Sequence, residues 1–228
     1  MLFIRHRKLM LLYNIHSHKI GSEQAGYEVR TVLNTLPQDY ASAKDALGTS
    51  YFSSGIHPWY AEEGEKSLTM LEHIIREEDV VAIGEIGLDK LRGPSIDIQL
   101  KMLEAQIKLA EEVQKPIIIH CVKAWDELIA IYKKRKSSVS WILHGYRGNP
   151  EQTKQLVKLG FKFSIGEKFN TDSIRLIPLD SIFCETDESD ISVCQVYEAL
   201  SNVLMVEKKQ FDYLVAENIF KNVKLLTK

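Results

Sequence analysis

No stretch of the 228 residues approaches the ~20 consecutive apolar residues that cross a bilayer, so no membrane span is expected. Cysteine is scarce: Cys121, Cys184 and Cys194 are odd in number and fall in apparent strand and helix segments. They read as reduced thiols of a cytoplasmic protein, not as a disulfide frame. Charge imbalance is nearly missing too, since 29 Lys and Arg stand against 31 Asp and Glu. With no global field to draw in nucleic acid or membrane, an anionic substrate must be attracted by local cations or a metal. The opening "MLFIRHRKLMLLYN" carries charges but no long apolar core and no small-residue cleavage site, so no signal peptide is expected. Residues 1–9 read as an added arm or an upstream start ahead of Met10. Linkers, repeats and low-complexity stretches are lacking, which favours one domain over 1–228.

What is present is a recurring pattern. Apolar runs ending in polar residues occur at 11–16, 27–34, 51–57, 80–85, 116–120, 139–144, 161–166 and 181–187, giving eight candidate strands. Helix-period segments lie between several of them. In 96–113, Ile96, Leu100, Leu103, Ile107, Ala110 and Val113 recur at spacings of three and four. Leu68–Ile75, Ala124–Tyr132 and Pro150–Leu159 read similarly, with Asn149 as cap, Pro150 in the first turn and Gly160 as the stop. The alternation predicts a parallel (β/α)₈ TIM-type barrel in the α/β class. The chain is short for that fold, with little room for helices in 17–26 and 167–180, so an abbreviated, irregular barrel is expected.

The strand ends carry His16, His18, His57, Glu85, His120, His144 and Asp187. In a parallel barrel the C-terminal ends of all strands open on one face, so these residues converge although the chain separates them. Histidines at i and i+2 point to the same side of a strand, which lets His16 and His18 grip one ion. Each residue has a plainer reading. A single strand-end histidine is more often a hydrogen-bonded structural residue, Glu85 could be half of an ion pair, and "ETD" at 185–187 could cap a helix. Coincidence decides: independent segments deliver metal-compatible groups to the same end, which predicts one or two divalent ions. Glu85, central in the ring order, is then the carboxylate that neutralises a metal pair. His6 and His73 keep the plain reading.

"NIHSH" (14–18), "GIHPW" (55–59), "GEIGLD" (84–89), "PIIIHC" (116–121), "LHGYRG" (143–148) and "ETD" (185–187) together resemble the ordered motifs of TatD-type metal-dependent hydrolases. These are (β/α)₈ barrels of the amidohydrolase-like superfamily that include DNases. "AENIFKNV" (216–223) resembles the family's closing helix. The resemblance implies that His16, His18, Glu85, His120, His144 and Asp187 are metal ligands, with Glu85 bridging, and that His57 meets substrate phosphate. The substrate-facing positions depart from the family pattern. Val122 stands where arginine is common, Arg147 where serine is common, "ETD" runs on into "ESD", and "GLD" is followed by "KLR".

The expected activity is metal-dependent hydrolysis of a phosphodiester, with DNA as the expected substrate and metal-activated water as nucleophile. Asp187 and Glu85 are the catalytic carboxylates, Asp187 accepting the proton of the attacking water. His57, Lys123 and Arg147 hold phosphate oxygens. Zn, Mn or Ni suits a histidine-rich site, and Mg prefers more oxygen. No obligate protein partner is evident. The alternatives are metal-dependent amide or ester hydrolysis, as in other amidohydrolases, and a protein that keeps metal for structure alone.

Overall fold

In the computed structural model, residues 10–19, 26–48 and 50–223 are described. The expected N-terminal arm, 1–9, lies outside them, as does most of the first expected gap. Eight strands form one sheet in sequence order: β1 (Met10–Ser17), β2 (Tyr27–Thr35), β3 (Tyr51–Ser54), β4 (Val80–Asp89), β5 (Ile117–Val122), β6 (Trp141–Leu143), β7 (Lys162–Ile165) and β8 (Ile182–Cys184). Every neighbouring pair is parallel. Parallel strands need crossovers, and helices supply most of them: α1 (Tyr40–Leu47), α2 (Gly64–Ile74), α3 (Ile96–Val113), α4 (Trp125–Arg135), α5 (Pro150–Leu159) and α6 (Thr171–Ile174); α7 (Val193–Leu204) and α8 (Lys208–Val223) follow β8. This is the (β/α)₈ barrel expected from the alternation. It is abbreviated where the sequence is short: α6 is one turn, and no helix is described between β1 and β2. None of the described helices is long and apolar enough to cross a membrane.

Local signals fix several elements. The Asn149 side chain accepts the Gln152 amide at 2.9 Å, and Pro150 opens α5 with a fixed φ. Gly160, at φ 93°, ends that helix in the left-handed region. Helix α7 starts on a capping box in which the Ser192 and Gln195 side chains each accept the other residue's backbone N–H.

Packing follows the strand period of two. Ile118, Ile142 and Phe183 are fully buried in one cluster, and each precedes a polar strand-end residue by two positions: His120, His144 and Glu185. Alternation puts each pair on the same face, so apolar layers lie beneath the polar ends. The intervening Ile117, Ile119 and Leu143 join a larger cluster with Leu103 and Ile107 of α3, Leu128 of α4 and Leu156 of α5. Strands β4 and β5 approach unusually closely at Gly87, where an added Cβ would fall on the His120 carbonyl oxygen. Its φ of 150° is also unfavourable for other residues.

The barrel closes between the first and last strands. Thr186 and Asp187 donate their N–H groups to the His16 carbonyl at 3.3 and 3.1 Å, and His18 N–H donates to the Asp187 carbonyl at 3.2 Å. Asn14 reinforces this seam, giving its amide N–H to Thr186 Oγ1 and accepting the Thr186 backbone N–H.

Candidate metal centre

The strand ends bring five imidazoles around one buried carboxylate. Glu85, in β4, is 4% exposed. Its Oε2 lies 3.5 Å from His16 Nε2 and 3.7 Å from His18 Nε2. Its Oε1 lies 2.7 Å from His120 Nδ1, 2.8 Å from His144 Nε2 and 3.4 Å from His57 Nε2. Each oxygen thus serves a different set of histidines. Asp187 stands across the seam, with Oδ1 3.6 Å from Nε2 of both His16 and His18. Its φ of 54° is left-handed, a conformation Asp tolerates better than most residues. His120 and His144, with ring centroids 5.8 Å apart, share one pocket as expected.

Three groups can each hold an ion: His16, His18 and Glu85; His16, His144 and Asp187; and His57, Glu85 and His120. The protein alone leaves some of these atoms unsatisfied. Both ring nitrogens of His16, which is 0% exposed, lack a hydrogen bond, and so does Nδ1 of His144. Buried polar atoms are rarely left without partners, and a nitrogen–oxygen donor set suits a divalent cation. His18 and Asp187 are 37% and 34% exposed at their side chains, so the cluster opens to solvent on that side.

The titration behaviour reflects crowding. Burial pushes the Glu85 carboxyl up, but the imidazoles of His144, His120 and His16 outweigh it and hold the group well below the usual carboxylate range. Burial and the neighbouring His144 push His16 down, yet Asp187 and Glu85 raise it to about 9. His144 is likewise raised, because Glu85 and Glu185 outweigh its burial. Burial dominates at His57 and lowers it. At Asp187, burial is outweighed by His16 and His144, and the carboxyl is lowered.

A cavity of about 810 Å³ lies over the cluster, lined by His18, His57, Glu85, His120, His144, Asp187 and Arg147. Leu33, Leu36, Ala43, Trp59 and Tyr60 give it an apolar and aromatic wall. Of the expected phosphate-holding residues, His57 and Arg147 line this space. Lys123, exposed and at φ 56°, is not among the lining residues. Of the other cations near strand ends, Lys90 pairs with Glu127 at 2.7 Å, and the Arg92 guanidinium lies 3.7 Å from the centre of the Trp59 ring.

Two carboxylates at the site went without a role in the sequence reading. Glu185, 0% exposed, accepts the Gly145 N–H at 2.6 Å and faces His144 Nδ1 at 3.4 Å. Asp89 faces His120. Both sit inside motifs quoted above, but their partners lie on other strands, so only the shared motif could have flagged them.

A parallel eight-stranded barrel with histidine and carboxylate clusters at its C-terminal mouth defines a class: barrels built to carry a metal site. The family described as TatD related DNase matches residues 14–221, and the chain belongs to that family. It is similar to the metal-dependent hydrolase YjjV of Escherichia coli (strain K12), 32% identical over 152 residues covering 62% of this chain and 59% of YjjV. It is also similar to the 3'-5' ssDNA/RNA exonuclease TatD of Pantoea sp. (strain At-9b), 30% identical over 61% of this chain and 58% of that protein. The matched segment therefore spans less than two thirds of these curated relatives. The crystal structure of YjjV from E. coli K12 shares the fold at a TM-score of 0.82, with 23% identity over 95% of this chain and 98% of that one.

Proposed function

We propose that the protein is a divalent-metal-dependent phosphodiesterase acting on nucleic acid, with DNA as substrate and two ions at the strand-end cluster. The observation that carries this reading is the division of Glu85: Oε2 toward His16 and His18, Oε1 toward His57, His120 and His144. A carboxylate whose two oxygens face separate imidazole sets would be placed to serve two cations, one on each side. Family membership and the similarity to a named nuclease support the same reading.

His16, His18, His120, His144, Glu85 and Asp187 are the residues that would hold the ions. The imidazole-rich donors favour zinc, manganese or nickel over magnesium. Bound divalent ions supply Lewis-acid activation of water and charge for the phosphoryl oxygens. Asp187, partly exposed to the cavity, accepts the proton of the attacking water. His57, lowered by burial, lines the cavity beside Glu85 and is the residue placed against the substrate phosphate. Arg147 brings a permanent cation to the rim and forms no ion pair among the described residues. The wall of Trp59, Tyr60 and Leu33 receives a nucleoside by stacking, which tolerates any base.

The test is hydrolysis of bis-p-nitrophenyl phosphate, p-nitrophenyl acetate and a single-stranded oligonucleotide by protein loaded with zinc, manganese or magnesium. Metal-dependent cleavage of the phosphodiester and the oligonucleotide is expected. Turnover of the acetate alone would replace this reading with carbonyl hydrolysis. Metal uptake without any turnover would leave a structural site.

A further inference from the structure

Asp89 belongs to none of the three donor groups, yet it touches one of their members. It ends β4 and is 3% exposed. Its Oδ2 accepts the indole N–H of Trp59 at 2.7 Å and lies 3.3 Å from His120 Nε2. Its Oδ1 accepts the backbone N–H of Leu91 at 2.8 Å. The backbone of Asp89 is also held, because the Gln99 side chain accepts its N–H at 2.7 Å and donates to its carbonyl at 2.8 Å. The carboxylate therefore has fixed partners on every side.

The His120 ring consequently spans two carboxylates, with Nδ1 on Glu85 Oε1 at 2.7 Å and Nε2 on Asp89 Oδ2. A neutral imidazole has one N–H and one lone pair. A histidine that ligates a metal uses the lone pair and gives the other nitrogen's N–H to an outer acceptor. Glu85 belongs to the donor groups and Asp89 does not, which fixes the direction. We propose that Asp89 is a positioning residue: it accepts the Nε2–H of His120, so that Nδ1 is the nitrogen offered to an ion beside Glu85. The same oxygen also holds Trp59, so the cavity wall and His120 are set by one group. The inference rests on the metal-centre reading above.

Asp89→Asn tests this by reversing the chemistry in nearly the same shape. Asparagine has one acceptor oxygen, and Leu91 N–H competes for it with Trp59 N–H and His120. An amide NH₂ turned toward His120 would donate to Nε2, driving the N–H onto Nδ1 and against Glu85. Two readouts apply, neither of them turnover. In the zinc-loaded parent, long-range ¹H–¹⁵N correlation of the imidazoles should find His120 protonated at Nε2 and ligated at Nδ1. Ligation at Nε2 overturns the proposal, and this measurement needs no variant to fold. By calorimetric titration, Asp89→Asn should bind zinc about 10- to 100-fold more weakly, the usual loss for an outer-shell partner. Parent-like affinity in the variant overturns the role of Asp89 alone. A parent that takes up no zinc overturns the metal centre and this role together.

Discussion

At Glu85 a single negative charge faces five imidazoles, and Glu85→Gln keeps the shape while removing that charge. Metal stoichiometry, measured by elemental analysis of the dialysed protein, is expected to drop. Turnover should fall by more than the about 10- to 100-fold typical of losing an outer partner. Unchanged metal content and turnover would leave Glu85 as a structural carboxylate. The raised histidines give a second test. His16, at about 9, and His144, also raised, hold protons at neutral pH in the ion-free protein. An ion must displace them, so binding releases protons and apparent affinity climbs as pH rises toward about 9. Calorimetry in two buffers of different ionisation enthalpy should detect this, and identical heats in both would contradict it. At the rim, Arg147→Ala should raise KM and reduce the salt slope of oligonucleotide binding by about 1, with kcat little changed. Lys123→Ala, off the cavity lining, should do less. If the two variants behave alike, the cavity lining does not mark the phosphate path.

Helix α3 is the element on which two strand exits depend. Its apolar stripe was readable from spacing alone, and the boundaries Ile96–Val113 match the periodic segment. What spacing did not reveal is a pair of buried glutamines on the same helix, seven residues or about two turns apart. Gln99 clamps the end of β4, while Gln106 accepts the Ile56 N–H at 2.6 Å and donates to the Ile56 carbonyl at 3.1 Å, just before His57. A glutamine in an amphipathic pattern reads as surface until its backbone partners are known. Gln106→Ala strips partners from two buried backbone groups, at about 1–3 kcal/mol for each group left unsatisfied. Urea unfolding should register that loss, and activity should fall further because His57 is no longer held. Parent-like values for both would mean that water replaces the side chain. Other elements differed in legibility for physical reasons. The polar strand ends were conspicuous because each interrupts an apolar run. Helix α1 was not anticipated: it buries little beyond Tyr40, so its pattern is faint. Helix α7 is not marked by an apolar run ending in a polar residue, and its signal in the sequence is the capping box of Ser192 and Gln195.

At the scale of the molecule, the eight-stranded order and the convergence of strand ends followed from alternation plus a rule of barrel geometry, and the structure has both. Most of the cavity wall did not follow: Trp59 stood out beside Pro58 as an aromatic that could stack on a base or pack the rim, but Leu33 at the end of β2, Leu36 just after it and Tyr60 beside Trp59 meet only in the folded chain. The seam between β1 and the residues after β8 carries a consequence for biogenesis. Ser17 and Asp187 meet across 170 positions, so His16 and His18 leave the ribosome long before the carboxylate they face. Such a late, non-local pairing is slow to form. Until it does, β1 has an open edge and two imidazoles free to bind any available cation. Ions that bind unfolded histidines stabilise unfolded chains, and unpaired strand edges promote aggregation. Refolding from denaturant should therefore recover more unaggregated protein when the divalent ion is added after closure than when it is present from the start. Equal recovery in both orders would mean that the seam forms before the histidines can be captured. An ion that the finished barrel would hold would be, for the unfinished one, a ligand arriving too early.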